Sequence, residues 1–262
     1  MPYLPLKDAR LHYEVKGKGA PLLLIAGLAC HSGHWKFIKP TLAETFQVIT
    51  MDNRSTGRTG DPDHHYTIET IAEDSIALLK HLKFSCVHLL GHSMGGAIAQ
   101  VIAHRYPSYV EKLLISNSFV KMTPRTLLWM RHCAWLQEQH KTVEERMPVI
   151  APWVFSNKFL SHPKALEKLI HAATTDPYPQ TAKGFRQQVE AITHFDSRAW
   201  VHEIRASTFI IAGEEDFLTP MRDAEYLRDH IKDSTLIVQE GSHSPMLEIP
   251  SKYVRDVKKI LL

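Results

Sequence analysis

Gly91-His92-Ser93-Met94-Gly95-Gly96 follows an apolar run, Val87 to Leu90, and opens a helix-like stretch from Ala97 to His104. Few features constrain a chain more. A serine at a strand-to-helix turn of this kind sits on strained backbone with its hydroxyl projecting, and neighbours without Cβ atoms let strand and helix close around it. Such strain is expected where the surroundings over-determine a functional residue. The pattern predicts a parallel sheet with Ser93 at its carboxyl edge, exposed as a nucleophile.

The rest of the chain fits that expectation. Short apolar runs alternate with longer amphipathic stretches, the pattern of βαβ units. Expected strands are Leu11 to Val15, Pro21 to Ala26, Phe46 to Met51, Cys86 to Gly91 and Lys112 to Ser116. Leu22-Leu23-Leu24-Ile25 is apolar at every position, as a strand buried on both faces requires. Ile68, Ile71, Ala72, Leu79 and Leu82 fall at helical spacing and form one apolar stripe. From about Val120 to Arg205 the sheet pattern disappears. Helix-like segments rich in Trp, Arg, His and Gln take its place, broken by Pro148, Pro152, Pro163, Pro177 and Pro179. Strand character returns at Ser207 to Ala212 and Ser234 to Gln239, with helices expected around Ala224 to Ile231 and from Lys252 to Leu262. The simplest parsing is an α/β core of residues 1–119 and 206–262 interrupted by a helical insertion of residues 120–205.

A serine hydroxyl is a weak nucleophile until a base takes its proton, and the base needs a partner to orient it. For a nucleophile on this kind of turn, an acid and then a histidine follow in chain order. Phe209 to Gly213 leads into Glu214-Glu215-Asp216-Phe217-Leu218-Thr219-Pro220, and Leu236 to Gln239 leads into Glu240-Gly241-Ser242-His243. Both loops follow the carboxyl ends of strands, where ligands of open α/β sheets bind. Spacing from Gly213 and Pro220 selects Asp216 over Glu214 and Glu215. The loop after the strand ending at Ser116 reads Asn117-Ser118 and offers no rival carboxylate. The expected triad is Ser93, Asp216 and His243. Two backbone N–H groups should face the developing oxyanion. They are assigned to Met94, at the start of the helix, and to Leu28, within Ala26-Gly27-Leu28-Ala29 after an early strand.

Composition disfavours other classes. A net charge of +3 without blocks of like charge leaves no electrostatic footprint for nucleic acid or an anionic membrane. Cys30, Cys86 and Cys133 are odd in number and far apart, which argues against disulfides and zinc. No P-loop or G-x-G-x-x-G follows a strand, so no metal or other cofactor is expected. The first 15 residues carry charges where a signal peptide has an apolar region, and no apolar run approaches the roughly 20 residues of a membrane span. A cytoplasmic protein is expected, as a monomer or a homodimer.

Over nearly its whole length the chain resembles the α/β-hydrolase superfamily. Asp52-Asn53-Arg54-Ser55-Thr56-Gly57-Arg58-Thr59 is similar to that family's D-x-R-G-x-G-x-S segment, and His243 to Pro250 to its terminal G-H-x-x-x-x-E-x-P pattern. The resemblance implies the α/β-hydrolase fold, a mainly parallel sheet flanked by helices, with the insertion as a helical cap over the active site. The D-N-R…G-R segment and Gln187-Gln188-Val189-Glu190-Ala191 resemble 3-oxoadipate enol-lactonase-like hydrolases and carboxylesterases. Two departures stand out. Ala26 replaces a histidine whose hydrogen bond stiffens the oxyanion loop in the family. Ser55 replaces the glycine of D-x-R-G, and Thr56 stands where enol-lactonases tend to have histidine.

The activity implied is hydrolysis of a small carboxylic ester or enol-lactone through an acyl-enzyme, without a cofactor. In the insertion, Trp129, Arg131, Trp135 and Trp153 are candidates to line a substrate chamber, with Arg131 or Arg125 facing a substrate carboxylate. The competing reading is that the tryptophans pack the cap onto the core and the arginines are solvated. A carbon–carbon bond hydrolase acting on a vinylogous diketone uses the same triad, and a non-catalytic receptor shares the fold. Both stay open. Serine at the elbow disfavours dehalogenases and epoxide hydrolases, which need an aspartate there.

Overall fold

The computed structural model describes residues 2–262. Eight strands form one sheet: β1 (Tyr3–Pro5), β2 (Arg10–Lys16), β3 (Ala20–Ile25), β4 (Phe46–Met51), β5 (Val87–His92), β6 (Val110–Ser116), β7 (Ser207–Gly213) and β8 (Ser234–Gln239). Their spatial order is β1-β2-β4-β3-β5-β6-β7-β8. β1 and β2 pair antiparallel, and every pairing from β4 to β8 is parallel. The helices in chain order are α1 (Lys39–Leu42), α2 (Ile68–His81), α3 (Met94–Arg105), α4 (Pro124–Glu138), α5 (Val143–Val154), α6 (Asn157–Leu160), α7 (Ala165–Thr174), α8 (Ala182–His194), α9 (Met221–His230), α10 (Pro245–Glu248) and α11 (Pro250–Leu261).

The apolar runs make sense once the pleat is taken into account. Alternate residues of a strand face opposite sides of the sheet, so a sheet covered on both faces needs apolar residues at every position. In β3, Leu23 and Ile25 join the core under α2 and α3, with Ile71, Leu79, Ala97 and Ile98. Leu22 and Leu24 face the other way, into the core built by Trp35, Ile38, Tyr253 and Val257. All four strand residues are fully buried. α2 starts at a reciprocal cap in which Thr67 and Thr70 each bond the other's backbone N–H. It stops at Leu82, after which Lys83 turns left-handed at φ 60°.

β1 was not anticipated: three residues ending in proline are too few to show an alternating pattern. β6 begins two residues earlier than expected, because Val110 pairs with Val87. Between β6 and β7 stand five helices, α4 to α8, and an isolated antiparallel bridge, Lys121 with Asp196, pairs the two ends of this insertion. Pro148 and Pro152 do not break this region as expected: both lie inside α5. A proline removes one intrahelical bond without forbidding the helix. Here the first turn is secured by Thr142 and Glu145 in a reciprocal cap.

Register brings the loops of interest together. Ile25 lies opposite Gly91, His92 opposite Ser116, Ser116 opposite Ile211 and Gly213 opposite Gln239. β3, β5, β6, β7 and β8 therefore run out at one edge, and the segments around Leu28, Ser93, Asn117, Asp216 and His243 leave from it.

Candidate active site

Ser93 sits between β5 and α3 with φ 55° and ψ −119°, a region that L-residues avoid. The surrounding contacts impose it. Ser93 N–H donates to Ser116 O at 2.9 Å, and Ser93 O accepts from Ser118 Oγ at 2.8 Å and from Gly96 N–H at 2.8 Å. A Cβ on Gly91 would lie 2.1 Å from Gly95 O, and one on Gly95 would lie 2.0 Å from Ile25 O. Strand, turn and helix pack backbone to backbone here, which is why the glycines are required.

The three side chains singled out from sequence meet. Ser93 Oγ and His243 Nε2 are 2.9 Å apart, and His243 Nδ1 lies 2.9 Å from Asp216 Oδ2. All three residues are 5% exposed, so the relay is shielded from competing water. With Asp216 ionised, Nδ1–H is the donor, which leaves Nε2 bare and able to take the serine proton.

Asp216 accepts from more than His243. Leu218 N–H and Thr219 N–H donate to Oδ1, both at 2.9 Å. Thr219 Oγ–H at 2.6 Å and Asn117 Nδ2–H at 2.9 Å donate to Oδ2. Burial works to raise the carboxyl's pKa. The charge of His243 and the hydrogen bonds from His243 and Thr219 outweigh it and hold the pKa below the usual carboxylate range. Glu214 is exposed, and Glu215 binds Asn157, so neither reaches His243. Asn117 and Thr219 were not picked out as functional from the sequence. Asn117 carries a signal: it occupies the loop position after β6 where a rival acid would stand, and there it bonds both Asp216 and Ser242 O.

Two further imidazoles flank His243. His92, the residue before Ser93, donates Nε2–H to His243 O at 2.7 Å, its ring centroid 4.9 Å from that of His243. His34 stacks on His92 at 5.0 Å. Burial, and then the charge of His243, pushes His92 well below the ordinary imidazole pKa and His34 down to about 3. Both are neutral, so this flank adds no positive charge to oppose an imidazolium at His243.

On the far side of Ser93, the loop after β3 makes a turn closed by Cys30 N–H donating to Gly27 O. A Cβ on Gly27 would lie 3.0 Å from Ser93 Cβ. The N–H groups of Leu28 and Met94 have no acceptor among the described residues. Burial, and then the charge of Asp176, pushes the nearby Cys30 thiol up to about 12, so it stays protonated.

The residues proposed from the insertion separate into two groups. Trp129 and Trp153 stack at 5.4 Å, with the Arg125 guanidinium over Trp153. Trp153 precedes Val154, whose carbonyl accepts His243 N–H at 3.1 Å, so this pair borders the histidine loop. Arg131 does not join it. It lies exposed on the opposite face of α4, in a groove of about 650 Å³ with Leu128, Arg198, Arg222 and Tyr226 and with none of the triad residues. Trp135 is 49% exposed, stacks on His132 and borders a second outer groove with Arg131, Glu138 and Arg186, which none of the triad residues lines. Sequence spacing alone did not show which face of α4 turns inward, because its apolar and polar residues are not cleanly segregated.

A family model described as the alpha/beta hydrolase fold matches residues 20–250. The chain belongs to this family. The hydrolase is 27% identical over 260 residues to 3-oxoadipate enol-lactonase 2 of Acinetobacter baylyi, covering 98% of this chain and 95% of that one. It is 26% identical over 259 residues to the human serine hydrolase BPHL, covering 95% and 81% respectively. Among solved structures, the enol-lactonase from Burkholderia xenovorans superposes with a TM-score of 0.88 at 21% identity, covering 99% of each chain. That likeness shows the fold. Among the described residues of the hydrolase, no cluster of three His, Cys, Asp or Glu side chains could hold a metal ion. No helix of the described residues is long and apolar enough to cross a membrane.

Proposed function

We propose that this hydrolase cleaves a small carboxylic ester or lactone through an acyl-enzyme on Ser93. The observation that carries the reading is the continuous path from Ser93 Oγ through His243 to Asp216, 2.9 Å at each step. His243 Nε2 takes the serine proton as Oγ bonds to the substrate carbonyl carbon. The carbonyl oxygen becomes an oxyanion facing Leu28 N–H and Met94 N–H. Collapse of that intermediate breaks the bond to the leaving oxygen, which His243 protonates. Water, deprotonated by His243, then attacks the acyl carbon and releases Ser93. Asp216 stays ionised throughout, fixing the Nδ1–H tautomer and stabilising the imidazolium.

Residues 120–205 are read as a cap that limits substrate size, with Trp129 and Trp153 at the acyl or leaving-group side. The names of the enol-lactonase and serine-hydrolase relatives support an oxygen ester, open-chain or cyclic. Turnover of short p-nitrophenyl esters and small lactones by wild type and Ser93→Ala tests the reading. The variant is expected to lose about four to six orders of magnitude in kcat. Wild-type-like turnover by Ser93→Ala refutes the assignment. Efficient cleavage of vinylogous diketones alone moves it to carbon–carbon bond hydrolysis.

A further inference from the structure

The turn that presents Leu28 has little holding it from within. Ala26 brings no polar side chain, Gly27 brings none at all, and Ala29 adopts φ 61°, a left-handed conformation unfavourable for alanine. Two side chains from elsewhere fasten it. At its start, Asn53 Nδ2–H donates to Ala26 O at 2.9 Å. At its end, Ala29 N–H donates to Gln188 Oε1 at 3.0 Å, from α8 and 159 residues away.

Gln188 is fully buried, and its amide has a fixed orientation. Oε1 accepts from Ala29 N–H and from Gln180 Nε2–H, also at 3.0 Å, while its own Nε2–H donates to Arg54 O at 2.9 Å. Turning the amide over would set its donors against two donors and its oxygen against a carbonyl. One side chain thus ties the end of the oxyanion turn to residue 54, next to the Asn53 that holds its start.

We infer that Gln188 is a positioning residue: the helical insertion reaches into the core through it to hold the Leu28 N–H toward the oxyanion. This rests on the proposed role of Leu28 and deepens it. Gln187 supplies an internal comparison. It also bonds α8 to the core, accepting from Ser55 Oγ and donating to Pro62 O and His64 O, and none of these hydrogen bonds reaches residues 26–30. Loosening the helix generally and releasing the turn specifically can therefore be separated.

The test compares Gln188→Met with Gln187→Met by two readouts. The first is inhibition by a trifluoromethyl ketone. Ser93 Oγ bonds to the ketone carbon, the serine proton passes to His243, and the carbonyl electrons become an oxyanion like that of the acyl-transfer intermediate. Gln188→Met is expected to bind it about 10-fold to 100-fold more weakly and to lose kcat in parallel, with KM changed by less than about threefold. Gln187→Met is expected to bind it as wild type does. The second readout is amide hydrogen exchange in the peptide spanning residues 26–30, which should accelerate at least 10-fold in Gln188→Met alone. Equal losses in both variants, or wild-type ketone affinity or exchange in Gln188→Met, overturn the inference. A wild type that ignores the ketone defeats the serine-hydrolase reading, and the fastening of the turn then stands or falls on exchange alone.

Discussion

Replacing Asp216 with asparagine should disable the hydrolase by inverting one tautomer while leaving the fold almost intact. The carboxylate accepts two fixed backbone N–H groups on Oδ1 and three side-chain donors on Oδ2. An amide nitrogen placed at Oδ1 would confront Leu218 N–H and Thr219 N–H, neither of which can rotate away. Placed at Oδ2 it meets three groups, two of which can adapt. The Thr219 hydroxyl turns to accept, and His243 moves its proton from Nδ1 to Nε2. Only Asn117 Nδ2 then stays opposed, a conflict of about 1–3 kcal/mol.

Stability should fall by no more than that, but the imidazole now presents N–H to Ser93 and cannot take its proton. The expected loss in kcat is about 10⁴, or about 5.5 kcal/mol in the barrier. Stopped-flow release of p-nitrophenol from p-nitrophenyl acetate measures acylation directly, and urea unfolding measures stability. Acylation within 10-fold of wild type would refute the argument. So would a variant that fails to fold, since the reasoning requires the conflict to be absorbed by the tautomer.

Gly95→Ala places a methyl 2.0 Å from Ile25 O in the middle of the sheet, so the urea midpoint should fall by the equivalent of about 3 kcal/mol or more; an unchanged midpoint would mean that α3 can back away from β3. Asp223 is 8% exposed, and burial, offset in part by Arg222 and aided by Asp216, raises its pKa to about 6. The folded state then holds a proton that the unfolded state has released, so its stability contribution is full below about pH 4 and is lost as pH rises through about 6. Asp223→Asn should gain up to about 3 kcal/mol at pH 7.5 relative to pH 4, read by thermal unfolding at both values; equal shifts at the two pH values count against it. Arg131→Gln should leave KM for an anionic ester within about twofold of wild type, because Arg131 faces the outer groove; a tenfold rise would bring Arg131 back to the substrate.

The legible parts of the molecule were those written in local patterns. Leu22 to Ile25 announced a doubly covered strand, and the glycines around Ser93 announced close backbone packing, since each follows from period and sterics at neighbouring positions. Asp216 and His243 each follow a recognisable strand end, so their place at the same sheet edge as Ser93 was legible. Long-range partners were not legible. Nothing local marks Asn117 as a donor to Asp216, His92 as the prop of the histidine loop, or Gln188 as the holder of Ala29, because each bond spans between 99 and 159 residues. The insertion was hardest, and the two readings of Arg131 and Trp135 could not be separated from sequence, because α4 shows no single apolar stripe from which to read its inner face.

The most direct measurement is covalent trapping. A fluorophosphonate at neutral pH should form one bond from Ser93 Oγ to phosphorus with loss of fluoride, found by mass spectrometry of the peptide containing residues 91–96. The adduct should vanish in Ser93→Ala and form at least 1000-fold more slowly in His243→Ala, which keeps the serine but lacks the base. Labelling elsewhere on the chain, or undiminished labelling without His243, would contradict the proton relay on which the account depends.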